Sequence, residues 1–496
     1  LSRATELVGQ AIWASAGQFA QALLAVIGTI VIARLLGAEA FGVFALGLLF
    51  IGFAEILIGG HAVDIVVQKE DLSNAHLNAS FVTLVGIGLL TSLTLLASGA
   101  WAARFFEVPE LSGVLAAMMV LPLLTALTSL PSQLLVRRLQ FQVLARIGSL
   151  AALCALVVGV AFAASGAGIW SLVLMEILRR SLSLALIVRA ARWSPGLGFS
   201  KRELFEVLRF GLRRVENYGL TFFSQNAMPR LVVGYWLGTE ALGVFVVARR
   251  LLDQLTNVLS GPVAAVAFPA ASRLQSDNVK LVQLIRSSIR LTTWVFWPLV
   301  LGIVVTAPLL VPLAFGGEWA AVTPVLQILA LGTLRVPVSS LNRVVLVAFK
   351  RMGALTFVSI LSIAVGLVFL AVGVQYGLVG VAVALTLRQW VLWPVSSHQV
   401  YRVSGLRPVT QLQVMILAAL PALVMVAGVA ASGRLLTLDP PWLKLAALVG
   451  IGVVIYGFVW AAFNRRPARL LLAALADLRK GDLASARRNL MAIVRE

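Results

Sequence analysis

Nine ionisable side chains stand inside long apolar runs: Arg230, Arg249, Arg250, Arg335, Arg343, Arg388, Asp253, Glu55 and Glu176. A charge in such a place costs several kcal/mol unless it faces water, a partner or a ligand. The chemistry open to this set is anion binding and internal ion pairing. Arg250 lies about ten residues into the run 241–263, and Arg388 about ten into the run 378–400. At about 1.5 Å per residue each is roughly 15 Å deep, near the middle of a bilayer, and there needs an aqueous cavity or an anion. Arg249 and Asp253 are spaced for an i,i+4 pair. Arg335 lies deep in the run 322–346, Arg343 is close enough to its end to snorkel, and Arg230 sits in the outer third of the run 210–236. Glu55 is at a depth similar to Asp253, and Glu176 lies in the run 169–189; both can be met by arginine or backbone within their own bundle. On this reading all six embedded arginines belong to the second half of the chain.

Uncharged polar residues are patterned too. Gln18 and Gln21 share one helix face. Asn217, Thr221, Ser224 and Met228 follow a 4, 3, 4 spacing, with Gln225 and Asn226 beside them. Two such stripes would face a central groove; the alternative use is hydrogen bonding between helices, worth about 1 kcal/mol per contact.

The elements that must position these groups are membrane helices. Hydrophobic residues make up 60% of the chain and charged residues 12%, about half the charge of a soluble protein. The apolar runs are continuous, which excludes the alternation of a β-barrel. The run from Leu7 to Ala33 is too long for a signal peptide core. The single cysteine, Cys154, and the scattered His61, His76 and His398 offer no disulfide or metal framework, so neither metal nor cofactor is expected.

The reading is an all-α polytopic membrane protein with about fourteen transmembrane helices. The spans run roughly 10–35, 41–62, 80–103, 111–131, 144–165, 169–189, 210–236, 241–263, 289–313, 322–346, 353–373, 378–400, 411–431 and 443–463. The net charge of +20 suits the positive-inside rule, not nucleic acid. With the N-terminus placed in the cytoplasm, Arg34, Arg104, Arg434 and Lys444 are the only cations in outer loops, six lie within spans, and the rest of the 40 Lys and Arg face inward. That last group includes a basic run from Arg179 to Arg214. Both termini are then cytoplasmic. Trp101, Trp170, Trp236, Trp319 and Trp442 mark the outer interface.

An internal repeat organises the spans. Leu36-Gly37-Ala38-Glu39-Ala40-Phe41-Gly42-Val43-Phe44 returns as Leu237-Gly238-Thr239-Glu240-Ala241-Leu242-Gly243-Val244-Phe245, offset by 201 residues. Each copy reads as a tight turn between two spans, so the chain is expected to be two six-helix bundles related by a pseudo-two-fold along the membrane normal. The divisions are 1–190 for the first bundle, 191–209 for a cytoplasmic linker with an amphipathic helix, and 210–403 for the second bundle. Two additional helices follow in 404–464, and 465–496 is a basic amphipathic tail. The capping box Ser200-Lys201-Arg202-Glu203 starts the linker helix, which should lie on the cytoplasmic leaflet. In the tail, Leu471, Leu475 and Leu478 share a face, and Leu483, Leu490, Ile493 and Val494 oppose Arg487 and Arg488 in a second short helix. The tail would rest on anionic membrane lipids or dock a cytoplasmic protein.

Two six-helix bundles, the linker, two extra helices and the hairpins ARLLGAEAFGVFALG and VGYWLGTEALGVFVVARRLLDQ together resemble the polysaccharide flippases. These are the Wzx-type oligosaccharide-lipid exporters of the multidrug/oligosaccharidyl-lipid/polysaccharide superfamily. The family's A-Y-R-L segment is similar to Ala248-Arg249-Arg250-Leu251, so Arg250 matches the family arginine and Arg249 departs from it. The resemblance implies a transporter, not an enzyme, that moves undecaprenyl-diphosphate-linked oligosaccharide to the periplasmic leaflet of the bacterial inner membrane by alternating access. The diphosphate would be held by Arg250 and Arg388, helped by Arg230 and Arg335, in a cavity with Arg249, Gln18, Gln21, Asn217 and Gln225. Glu55 or Asp253 would couple transport to an ion. Implied protein partners are a polysaccharide polymerase or assembly proteins. A lipid II flippase and a drug/cation antiporter of the same superfamily are the alternatives, with a membrane glycosyltransferase further off.

Overall fold

Gly37 and Gly238 adopt φ of 74° and 83°, a region closed to most side chains, and each breaks an otherwise continuous helical path. That is the physical content of the repeated motif. In this computed structural model residues 2–68, 73–196, 198–479 and 485 are described, and among them there is helix but no strand. Ser2–Gln68 is one helical path kinked at Gly37, and Met228–Trp236 passes through the Gly238 turn into Gly238–Arg273. Glu240 sits in the first turn of that helix, where a carboxylate meets the positive end of the helix dipole.

Eight helices among the described residues are long and apolar enough to cross a membrane, ten if each of two bent pairs is one span. Gly17–Ile58 and Met352–Ser404 each cover two expected spans. The bent pair Val322–Thr333 and Val336–Ala348 turns by 46° beside Arg335 and Pro337. The expected spans 169–189 and 210–236 fall short of that standard of apolarity because they carry the polar groups of interest: Glu176, Arg179 and Arg180 in one, Ser224 to Asn226 and Arg230 in the other.

The chain forms two compact units, and their boundary differs from the repeat boundary. The first holds residues 1–254 and 359–381, the second 255–358 and 382–496. In the first, Ser2–Gln68 packs on Phe141–Ala164, on Val120–Arg137 and on Lys201–Phe222. In the second, Asn278–Phe315 packs on Pro408–Leu435 and Pro441–Phe463, so the last two long helices lie on a helix of the second repeat. Tyr456 donates its hydroxyl hydrogen to the Trp294 carbonyl, and Trp294 meets Trp460 edge to face at 5.4 Å.

The expected capping box at Ser200 and Glu203 is present, and its hydrogen bonds hold the Glu203 carboxyl below the usual range. The linker is pinned to the first repeat. Asn78 accepts from the Gly196 amide at 3.0 Å and donates to the Gly198 carbonyl at 3.2 Å, while Val207 and Phe199 pack on Ala79. Phe205 remains exposed, as a lipid-facing residue would be. Arg465–Arg479 forms the first tail helix. The second expected tail helix, and the side chains of Leu471, Leu475 and Leu478, lie outside the described residues.

Candidate functional site

The helix Ile169–Ala191 presents Glu176, Arg179 and Arg180 on successive turns of one face, the i,i+3 and i,i+4 spacing that brings side chains together. Arg179 grips Glu176 with two hydrogen bonds of 3.0 and 2.6 Å, the fork geometry that suits a carboxylate. Arg180 donates from Nε to the same carboxylate at 2.7 Å, and from Nη1 to Glu55 and to the Thr125 hydroxyl. Five side chains from three helices are thereby locked, and Glu176 is buried. This corrects two expectations. Arg179 and Arg180 are set apart from the basic run that follows them, because they lie in the middle of the helix Ile169–Ala191 and are compensated there by Glu176, with Glu55 as a second partner of Arg180. Embedded arginines are therefore not confined to the second half. The only signal in the sequence was Glu176 three and four residues before them.

Arg250 lies within electrostatic range of Glu176 and Arg179, which ties the second repeat's charges to this lock. Arg230 is in turn within range of Arg249, Arg250 and Asp253. Arg249 donates from Nε to Asp253 at 3.0 Å, the pair expected from spacing. One continuous cluster results, all of it in the first compact unit. Five guanidinium groups (Arg179, Arg180, Arg230, Arg249, Arg250) stand against three carboxylates (Glu55, Glu176, Asp253), a surplus of two positive charges. Arg335 and Arg388 belong to the second unit, where Arg335 donates to the Gln389 amide oxygen at 3.1 Å and Arg388 is buried. Arg343 is exposed near the end of its helix, as a snorkelling residue would be.

The polar stripes are altered by local geometry. Pro229 lacks the N–H that an unbroken helix needs, and the preceding turn, Phe223–Ala227, widens into a π-helix in which the Met228 amide bonds to the Phe223 carbonyl. The extra residue in that turn rotates the residues after it about the helix axis. Of the 4, 3, 4 stripe, Ser224 and Met228 are buried and Thr221 is half-buried, whereas Gln225 beside it is exposed. The Asn217 side chain lies outside the described residues. Gln18 is exposed, but Gln21 lies over Gly148 of the neighbouring helix, with its amide nitrogen 2.7 Å from where a β-carbon would stand. Gln21 thus fills a helix–helix contact.

At one end of the cluster's unit the two copies of the repeated motif touch. A β-carbon at Gly42 would lie 1.8 Å from the Thr239 carbonyl oxygen, and one at Gly243 would lie 1.8 Å from the Ala38 carbonyl oxygen. Thr239 is the repeat equivalent of Ala38, and Gly243 of Gly42, so the contact is reciprocal. Only glycine lets the two backbones approach so closely.

Comparison with known proteins agrees with this architecture. Residues 31–324 match the family described as polysaccharide biosynthesis protein. The chain is 26% identical over 330 residues to the succinoglycan biosynthesis transport protein ExoT of Rhizobium meliloti (strain 1021), covering 66% of this chain and 65% of the relative, just under two thirds of its length. It is 25% identical over 373 residues to the lipopolysaccharide biosynthesis protein WzxC of Escherichia coli (strain K12), covering 72% of this chain and 73% of that one. Its fold is similar to that of the lipid II flippase MurJ in an inward closed conformation, with a TM-score of 0.74 and 14% identity, covering 92% of this chain and 99% of that one.

Proposed function

We propose, from the premise that the chain belongs to the polysaccharide biosynthesis protein family, that it is a flippase for a lipid-linked oligosaccharide. The cargo would be an undecaprenyl-diphosphate-linked glycan carried from the cytoplasmic to the periplasmic leaflet of a bacterial inner membrane. On this reading the protein works without chemical catalysis. Fourteen spans, two six-helix bundles related by a pseudo-two-fold, the linker 191–209, the added helices 404–464 and cytoplasmic ends complete the topology. A polysaccharide polymerase or assembly proteins would receive the product.

The observation that carries this reading is the surplus of two positive charges in a cluster held by membrane helices. A diphosphate supplies the missing negative charge, and guanidinium groups are the side chains best shaped to hold it. Arg250 and Arg230 are the primary holders, because Arg179, Arg180 and Arg249 already have carboxylate partners. Arg388 and Arg335 are a second pair, and Gln18 and Gln225 offer exposed polar groups to the glycan. The reciprocal glycine contact supports a closed outer gate, so the conformation is one with that gate shut. Glu55 and Asp253 can couple an ion only by giving up Arg180 and Arg249 respectively.

The surplus is cationic, which weighs against a cation antiporter. Lipid II shares the diphosphate carrier, and the likeness to MurJ is one of fold. The test is movement of labelled diphosphate-linked oligosaccharide into the lumenal leaflet of proteoliposomes. An Arg250→Ala, Arg388→Ala double variant present at normal level is expected to lose at least tenfold in rate, with Arg250→Lys intermediate. Unchanged transport by the double variant overturns the site, and transport of lipid II alone overturns the cargo.

A further inference from the structure

The second compact unit contains a cavity that the flippase reading does not use. It measures about 1070 Å³, the scale of a small-molecule site. Its wall is built from the end of Val336–Ala348, the start of Met352–Gly373, the last turns of Gly377–Ser404 and Pro408. Four of its lining residues are Lys350, Arg351, Arg402 and His398, and none is acidic.

Position within the wall sorts these residues. Lys350 and Arg351 sit in the tight turn that joins two helices, where the Arg351 amide bonds to the Leu346 carbonyl at 2.8 Å and Lys350 takes a φ of 56°. That turn holds both cations at the mouth, beside Arg402, and all three are exposed. Further along the same helices, Leu346, Phe357, Pro394 and Val395 make the wall apolar. From Val403 back to Pro394 is nine residues, roughly 13 Å along a helix. Charge counting puts this rim on the cytoplasmic side.

A cationic rim over an apolar shaft fits one class of molecule, an amphiphile with a phosphate head and a long tail. Beyond the cations and His398, Gln399 is the one further polar side chain in the wall, too few partners for the hydroxyls of a glycan. The head is therefore small, and the cytoplasmic leaflet is where anionic phospholipid is at hand. We infer that this cavity binds an anionic glycerophospholipid of the cytoplasmic leaflet, with its phosphate at Lys350, Arg351 and Arg402 and an acyl chain along Phe357, Pro394 and Val395. This site is separate from the charge cluster, and its test does not depend on transport.

The purified full-length chain would be titrated with phosphatidylglycerol or phosphatidylcholine of the same acyl chains, and bound lipids counted by native mass spectrometry. At least a fivefold preference for phosphatidylglycerol is expected. The Lys350→Gln, Arg351→Gln, Arg402→Gln triple variant is expected to bring it near unity, and an Arg273→Gln, Lys280→Gln, Arg286→Gln triple variant to retain it. No preference in the unaltered chain, or the same preference in the cavity variant, overturns the inference. So does displacement of phosphatidylglycerol by an equal concentration of undecaprenyl phosphate, which would assign the cavity to the cargo's carrier. If the cavity triple variant does not accumulate, the Arg402→Gln variant is read the same way, with at least a twofold loss expected and an unchanged preference overturning the proposal.

Discussion

The two halves of the repeat treat charge in opposite ways. In the first, Glu55, Glu176, Arg179 and Arg180 form a closed set of two acids and two bases, with every charged head bonded. In the second, Arg230, Arg249 and Arg250 stand with one carboxylate of that half, Asp253, which is bonded to Arg249 and has a side chain 42% exposed. A set balanced in charge leaves nothing for an anion to neutralise and acts as a lock between helices. An open set leaves positive charge to be neutralised by whatever enters. The duplicated motif, by contrast, is used alike in both halves, as a positive-φ turn and as a glycine contact. The two halves share the element that shapes the backbone and differ in what their charges do.

The most damaging way to break this comparison is Arg180→Ala. It strands Glu55 and Glu176 with one partner between them inside the bundle, and removing one member of such a buried set costs about 3–5 kcal/mol. We expect the variant to fall to a small fraction of normal membrane levels, with a Glu55→Gln, Glu176→Gln, Arg180→Gln variant recovering part of the loss. Normal accumulation of Arg180→Ala would show that the first set is not a lock.

Gly243→Val comes next. Its side chain would meet the Ala38 carbonyl, so the two motif copies must separate. The protein should accumulate, yet a cysteine placed at Ala38 should label from the outside several-fold faster, and transport should fall. Unaltered labelling would remove the gate from the account. The smallest effect belongs to Asp253→Asn. A partly exposed i,i+4 pair contributes about 0.3–0.5 kcal/mol, so membrane level and melting temperature should barely move. A large loss of stability would place the second set in the same class as the first.

Much of this was legible in the chain. The nine-residue repeat announced the two turns, the i,i+4 spacing announced Arg249 with Asp253, and Ser200 with Glu203 announced the linker helix. These are local relations, and local geometry follows from residue type and spacing. Arg179 and Arg180 were grouped with the arginines that follow them because a basic pair looks cytoplasmic until its partners are seen. One partner, Glu55, is more than a hundred residues away. The π-turn before Pro229 was hidden for a related reason: it shifts the helical register, and the widening depends on packing as well as on proline.

By itself the sequence determined the class of protein, the two copies of the turn motif and the groups that must find partners, since the cost of charge and of backbone strain in an apolar setting is independent of partner. Only the tertiary structure decided which charges are spent on one another and which remain. It also decided that Gly42 and Gly243 meet across the repeat, and that Lys350, Arg351 and Arg402 share one rim. Each of those outcomes is a distance between helices remote in sequence, set by packing.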